Sequence, residues 1–208
     1  MSRLVIVGAG GFGRELYQAV EDSPEFRRSL DIDTVGFIDD NPAPDLIRGP
    51  RFGGISDFVP EPGDLGLCAL GRTAVRKKVV ASLEERGLHF PAFVDDRAMV
   101  GASVELADGV VICARTFITA DVTIGRHTQI NSGCSIGHDV TIGEFVTMSS
   151  GIHLTGGVTV ESEAWLATGV IVIPGRTIGA GAMAGAGSVV IRNVKPGTTV
   201  FGNPAKKL

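Results

Sequence analysis

The chain has 208 residues, room for one large or two modest domains, and 44% of them are hydrophobic. Its formal net charge of −4 offers no basic surface for neutralising nucleic-acid phosphates. Cys68, Cys113 and Cys134 are an odd number without metal-ligand spacing, and read as reduced, buried thiols of a cytosolic protein rather than a disulfide framework.

Arg3 and the apolar run after it mimic a secretion signal. The run is short, broken by glycine and followed by Arg14 and Glu15, so it reads as part of the fold. No later stretch is long enough to span a membrane. Residues 1–93 read as a small α/β unit: a strand at 4–7, a turn at 8–13, a helix at 14–22, a strand at 34–38, and a loop rich in Pro and Gly at 41–63 with one short element at most. A strand at 65–70 and a helix at 73–86 complete it, with Val75, Val79, Val80 and Leu83 facing in. Strand alternating with helix implies a parallel sheet.

The turn reads GAGGFG, so Gly8, Gly10 and Gly13 form a G-x-G-x-x-G between strand and helix, the context in which helix N–H groups cradle phosphate. Asp39 or Asp40, at the end of the second strand, supplies the acid expected on a ribose. The unit is only half a dinucleotide fold, so one nucleotide fits it better than NAD. The competing reading is that the glycines only let helix and strand pack closely. Arg72, Arg76, Lys77 and Lys78 are within range of a diphosphate, but such a charge run on a helix is more often a solvated face.

From residue 94 the chain changes period. Every sixth residue from Val94 through Ile112, Ile130, Met148, Leu166 and Ala184 to Val190 is apolar. At this composition, 17 such positions in a row arise by chance on the order of once in a million. The residue four on is small or apolar as well, with Arg176 the main exception. A period of six fits neither helix nor long strand; it fits a solenoid over 94–195 whose hexads are the sides of a triangular prism, three to a coil. Gly101, Gly109, Gly125, Gly137, Gly143 and Gly179 are expected at corners needing unusual dihedrals. Residues 196–208 form a tail placed to cover the prism's end.

Eighteen residues per coil puts His138 between Ala120 and Gly156, with open space on both sides and a backbone N–H within reach of an acyl oxygen. Asp139 beside it can orient or charge-balance the ring. Histidine titrates near neutrality and suits a general base. The competing reading is an exposed corner histidine. His127 and His153 read as packing or surface residues, and His89 carries no pattern. A zinc enzyme would need three histidines converging on the metal, and none of these stack, so no metal is expected.

The run INSGCSIGHDVTIGEF from Ile130, with GAGGFGRE near the start, FIDDN at residues 37–41 and GNPAK near the end, resembles the bacterial sugar O- and N-acetyltransferases of the hexapeptide-repeat superfamily. These are typified by sialic-acid O-acetyltransferases and nucleotide-aminosugar N-acetyltransferases. The resemblance spans nearly the whole chain. It implies an α/β Rossmann-like half-domain followed by a left-handed parallel β-helix, acetyl-CoA as co-substrate, and a homotrimer with active sites between neighbours. It puts catalysis on His138 and Asp139, the oxyanion-side amide on Gly156, and acetyl-CoA contacts on Thr147, Thr168 and Ala186. Thr168 and Ala186 are one coil apart and stack above Ser150 as a track of small residues. The nucleotide-sugar site maps to Gly10, Gly11, Phe12, Asp39, Asp40 and Gly71. Some members carry histidine at the positions of Phe12 and Thr147.

The expected activity is therefore acetyl-CoA-dependent N-acetylation of a nucleotide-linked amino sugar in the cytoplasm, by direct transfer with His138 as base. Sialic-acid O-acetylation is the alternative, and a non-catalytic binding solenoid the alternative from another class.

Overall fold

The computed structural model describes residues 2–41 and 48–208, so part of the expected 41–63 loop lies outside the described residues. The chain divides into two compact units, Met1–Asp96 and Arg97–Leu208.

In the first unit β1 (Ser2–Val7) buries its last four residues, as a strand covered on both faces must. α1 (Gly11–Glu21) begins inside the glycine turn, three residues before the expected start, and packs Gly13, Leu16 and Val20 inward. α2 (Pro24–Ser29) was not expected from the pattern. Its signals are short-range: Pro24 in the first turn, Glu25 near the N-terminus, and Arg27 and Arg28 near the C-terminus, each favourable to the helix dipole. The Asp96 carboxylate accepts the Glu25 N–H at 2.9 Å, and Phe26 meets Phe93 edge-on at 4.8 Å. β2 (Ile32–Ile38), β3 (Arg51–Gly53) and β4 (Leu65–Cys68) complete a parallel sheet in the order β3-β2-β1-β4.

α3 (Thr73–Glu85) turns differently from the expected amphipathic face. Val75 is 41% exposed, whereas Arg76 is fully buried beside Val80 and Leu83. The basic run is thus not a uniformly solvated face. Arg76 Nη1 donates to the Leu70 carbonyl at 3.1 Å, tying the helix to the end of β4, and burial pulls its pKa down.

The second unit is the hexad solenoid, a left-handed parallel β-helix. Two-residue strands stack at a register of eighteen on three parallel sheets, for instance Ile124 on Ile142, Ile130 on Met148 and Ile136 on Leu154. The inward residues from Ile112 to Val190 are essentially solvent-free, while Val100 and Leu106 in the first coil are half-buried. Each is worth roughly 1.5–3 kcal/mol on burial. The residues four on, such as Val122, Val140, Val146 and Val158, fill the remaining interior.

The glycine expectation needs correction. Of the six, only Gly109 has a left-handed φ, +69°. A Cβ on Gly125 would lie 2.6 Å from the Gly143 carbonyl carbon, and one on Gly143 would lie 2.6 Å from the Ser162 nitrogen. These residues are glycine because successive coils touch there. The left-handed corner falls two residues later in each hexad, and recurs every six residues from Gly109 to Gly187. Arg115, Asp121, His127, Asp139, Phe145 and Glu163 occupy it without being glycine. That conformation costs a side-chain-bearing residue roughly 1–2 kcal/mol, offset here by bonds between coils such as Asp139 N–H to Ala120 O at 3.2 Å. Past residue 195, Thr199–Phe201 still stacks in parallel on Met183–Ala184 and then pairs antiparallel with Lys206–Lys207.

One ion pair in the first unit gives a pH-resolved test. Arg3 grips Asp64 with both arms, Nε to Oδ1 at 2.9 Å and Nη2 to Oδ2 at 2.7 Å, and the Glu61 N–H adds a third bond at 2.8 Å. Burial alone would raise the Asp64 carboxyl; the Arg3 fork and the Glu61 amide outweigh it and hold the carboxyl below its ordinary range. Because the folded value is depressed, this stabilisation is complete above the unfolded-state pKa of about 3.9 and lost as pH falls through the folded value. Asp64→Asn is expected to cost about 1–3 kcal/mol at pH 7 in urea unfolding, with the gap to wild type closing below about pH 4.

Candidate active site

His138 stands at the residue before a left-handed corner, so the chain turns sharply at Asp139, φ +58°. The turn brings the Asp139 carboxylate round to the ring: Oδ2 lies 2.7 Å from His138 Nδ1. Both side chains are open to solvent, 69% and 65% exposed, so the pair is built for access rather than for stability. With Nδ1 engaged by the acid, Nε2 is the nitrogen left to act on a ligand.

The ring lies on Gly156. A Cβ there would fall 2.6 Å from His138 Cε1 and 2.7 Å from Nε2. Any other residue one coil up would take the space the imidazole occupies. The coils bond around this point through Gly157 N–H to His138 O at 2.9 Å. The residue before a corner does not join the ladder between coils, and its N–H is spent elsewhere or left over. Glu144 gives its N–H to Ser162 Oγ, and Ala180 gives its own to Glu161 Oε2. Gly156 N–H has no acceptor among the described residues, and so is available to a ligand oxygen.

Ser150, Thr168 and Ala186 do stack, through Gly169 N–H to Ser150 O at 3.1 Å and Gly187 N–H to Thr168 O at 2.9 Å, and all three are exposed. They line a different corner of the prism from His138, with the strand pair Ser135 and His153 on the face between. Thr147 lies on another face, half-buried between Gln129 and Trp165. One chain therefore does not bring the His138–Asp139 pair and this track together.

The remaining nucleophiles and histidines have structural surroundings. Cys68, Cys113 and Cys134 are buried and form no disulfide. Burial pushes the Cys68 and Cys134 thiols up to about 11, so neither is a thiolate at neutral pH. His127 is buried and stacks on Phe145 at 5.1 Å, while His153 is an exposed strand residue between Ser135 and Ile171. Among the described residues no three His, Cys, Asp or Glu side chains are placed to share a metal.

In the first unit the expected nucleotide residues gather at the carboxyl ends of β1, β2 and β4. The order β3-β2-β1-β4 reverses direction between β1 and β4, and that is where an open α/β sheet binds ligands. The two readings of the glycines divide between positions. Gly8 (φ +101°) and Gly13 are packing glycines: a Cβ on Gly13 would run into the Gly8 carbonyl. Gly10, Gly11 and Gly71 face open space, so close packing does not account for them. The N-termini of α1 and α3 have no side-chain cap, leaving first-turn N–H groups for an anion. Phe12, half-buried, is in the same turn.

Asp39 has a different local task from the one its position suggested. Its Oδ2 accepts the Ala9 N–H at 2.7 Å and its Oδ1 the Asn41 N–H at 2.8 Å, so it braces the glycine turn from the neighbouring strand. Burial would raise this carboxyl; the Ala9 and Asn41 bonds hold it below the usual range. Asp40 accepts the Ser56 N–H at 2.9 Å. Two cations near this edge escaped the pattern reading. Arg51 donates to the Asp39 carbonyl at 2.6 Å, and Arg14, in the first turn of α1, has a buried Nε with no hydrogen-bond acceptor. Only the RE after the glycine motif hinted at Arg14.

The Gly156 contact gives a sharp test. The ring it would displace is exposed and buries no core surface, so Gly156→Ala is expected to change the unfolding free energy by no more than about 1 kcal/mol. It is expected to lower kcat by about 10²-fold or more, because about 1 Å of misplacement already costs that much.

Comparison with known proteins bears on the fold and the activity. The family model described as the PglD N-terminal domain matches residues 3–83. No curated protein matches. The acetyltransferase domain of PglB from Neisseria gonorrhoeae FA1090 is similar at TM-score 0.91 and 25% identity, covering 99% of each chain. WeeI from Acinetobacter baumannii AYE is similar at TM-score 0.90 and 29% identity over 100% of both chains. PerB from Caulobacter crescentus, solved in complex with CoA and GDP-perosamine, is similar at TM-score 0.85 and 29% identity, covering 99% of this chain and 96% of its own. Fold, repeat and full-length likeness converge: the chain joins a PglD N-terminal domain to a hexapeptide-repeat, left-handed β-helix, and is an acyltransferase similar to the sugar acetyltransferases of that fold.

Proposed function

We propose that this enzyme transfers the acetyl group of acetyl-CoA to the amine of a nucleotide-linked amino sugar, in cytoplasmic synthesis of a bacterial glycan. The observation that carries the reading is the imidazole of His138 lying over Gly156, with Asp139 at 2.7 Å behind it. His138 Nε2 takes the proton of the acceptor amine as the nitrogen attacks the thioester carbonyl. Asp139 holds the ring and balances the charge of the imidazolium, and the Gly156 N–H supports the oxyanion. Transfer is direct, with no covalent enzyme intermediate: the tetrahedral adduct collapses with cleavage of the C–S bond, and CoA leaves as its thiol after taking the proton back from the His138 imidazolium.

The glycine turn of the first unit supports a nucleotide acceptor. Gly10, Gly11 and Gly71 lie where a Cβ would fill open space, and the uncapped helix starts with Arg14 supply charge for a diphosphate. Asp40 keeps lone pairs for a base or ribose, while Asp39 holds the turn in shape. Similarity to a perosamine N-acetyltransferase from Caulobacter crescentus, solved with CoA and GDP-perosamine, favours N- over O-acetylation. The track of Ser150, Thr168 and Ala186 is a bed for the pantetheine arm. It runs along a different corner from His138, so we propose a homotrimer in which one subunit's track faces the catalytic pair of its neighbour.

His138→Ala is expected to lower kcat by about 10²–10⁴-fold with little change in the apparent affinity for either substrate. An unaffected rate would remove the assignment. In a thermal-shift screen of GDP-, UDP-, CMP- and dTDP-sugars, the matching nucleotide sugar at 100 times its Kd adds about 2.7 kcal/mol to stability. Stabilisation by free sialic acid but by none of the nucleotide sugars would favour O-acetylation instead.

A further inference from the structure

Charge is divided along this chain in a way its modest total conceals. Up to Glu163 there are 14 basic residues against 23 acidic ones; beyond it there are five basic residues and no acidic one. Four of those five (Arg192, Lys195, Lys206 and Lys207) line a single concavity of about 420 Å³ at the last coil, with Val194 and Val200 on its floor. No acidic side chain lines it, and none of the four is held in a salt bridge among the described residues. Around the same end Ile191, Phe201 and Leu208 are 39%, 52% and 79% exposed, and Phe201 pairs across the hairpin with Lys206.

We infer that this end of the solenoid docks onto an anionic membrane surface. Unpaired cations concentrated at one pole, interleaved with exposed aliphatic and aromatic side chains, match the chemistry of a bilayer interface: phosphate-bearing headgroups above, acyl chains beneath. A soluble polyanion such as the phosphates of CoA, or an acidic protein, would satisfy the cations and leave Ile191, Phe201 and Leu208 in water. The surface is peripheral, since no helix among the described residues is long and apolar enough to cross a membrane. Each basic side chain near such a surface is worth roughly fivefold in partitioning, and the homotrimer proposed above, with its prisms side by side and parallel, would present three such ends in one plane.

The test is co-sedimentation of the purified full chain with vesicles of phosphatidylcholine alone or with about 30% phosphatidylglycerol, at about 0.05 M and 0.5 M salt. It reads binding without turnover, so its failure and failure of the acetyltransfer reading are distinguishable. Binding to the anionic vesicles is expected to exceed that to neutral ones by at least about tenfold, and to vanish at high salt. The triple variant Arg192→Glu, Lys195→Glu, Lys207→Glu should lose it while keeping its circular dichroism and oligomeric state. The neutral triple variant to Gln covers any folding failure of the charge reversal, and should fall between the two. Equal binding to both vesicle types, or wild-type binding by a folded variant, would overturn the inference. So would a variant that only raises KM for acetyl-CoA, since the cations would then serve the donor's phosphates.

Discussion

The backbone register of eighteen residues between successive coils is the constraint on which the rest of the enzyme depends. Once Ile124 is bonded beside Ile142 and Ile136 beside Leu154, the position of every side chain on the prism surface is set by its number modulo eighteen. A single inserted residue would rotate the interior outward for all that follows, at roughly 1.5–3 kcal/mol per inward aliphatic. The catalytic site proposed for His138 uses this rigidity directly. His138 needs no loop or lid to find its partner, because the coil above is already at the correct height and carries a glycine there.

The same register explains why a strained corner is tolerated at the site. Asp139 has a left-handed φ, which a non-glycine residue adopts at a cost, and a free chain would rarely hold that shape. Coils above and below pin it, through Asp139 N–H to Ala120 O and Gly157 N–H to His138 O. The payoff is geometric: the left-handed turn folds the carboxylate back onto the ring of the preceding residue, which neighbours in an extended strand could not achieve.

Much of this was legible in the residues. The hexad period, the stacking of His138 under Gly156, and the strand–glycine turn–helix of the first unit all follow from spacing alone. What spacing could not supply was the role of individual residues in three dimensions. Gly125 and Gly143 look like turn residues, yet they are contact points between coils, and the true corners admit Arg115, Phe145 and Glu163. Arg76 looks like part of a solvated face and is buried, because its guanidinium meets a backbone carbonyl that no periodicity analysis contains. Asp39 looks like a ribose ligand, and its local bonds go first to the turn it supports. α2 is too short to show a period at all, and its existence rests on Pro24 and on Asp96, about seventy residues away.

The central claim is that His138 Nε2 and the Gly156 N–H jointly address one reacting carbon. The most direct measurement is a crystal structure with CoA and the acceptor identified by the ligand screen. The account predicts the sugar amine within about 3.2 Å of Nε2, with the CoA sulfur on the same side of the prism wall as the Gly156 N–H. An acceptor amine seated several ångströms from the imidazole, or against another wall, would contradict it.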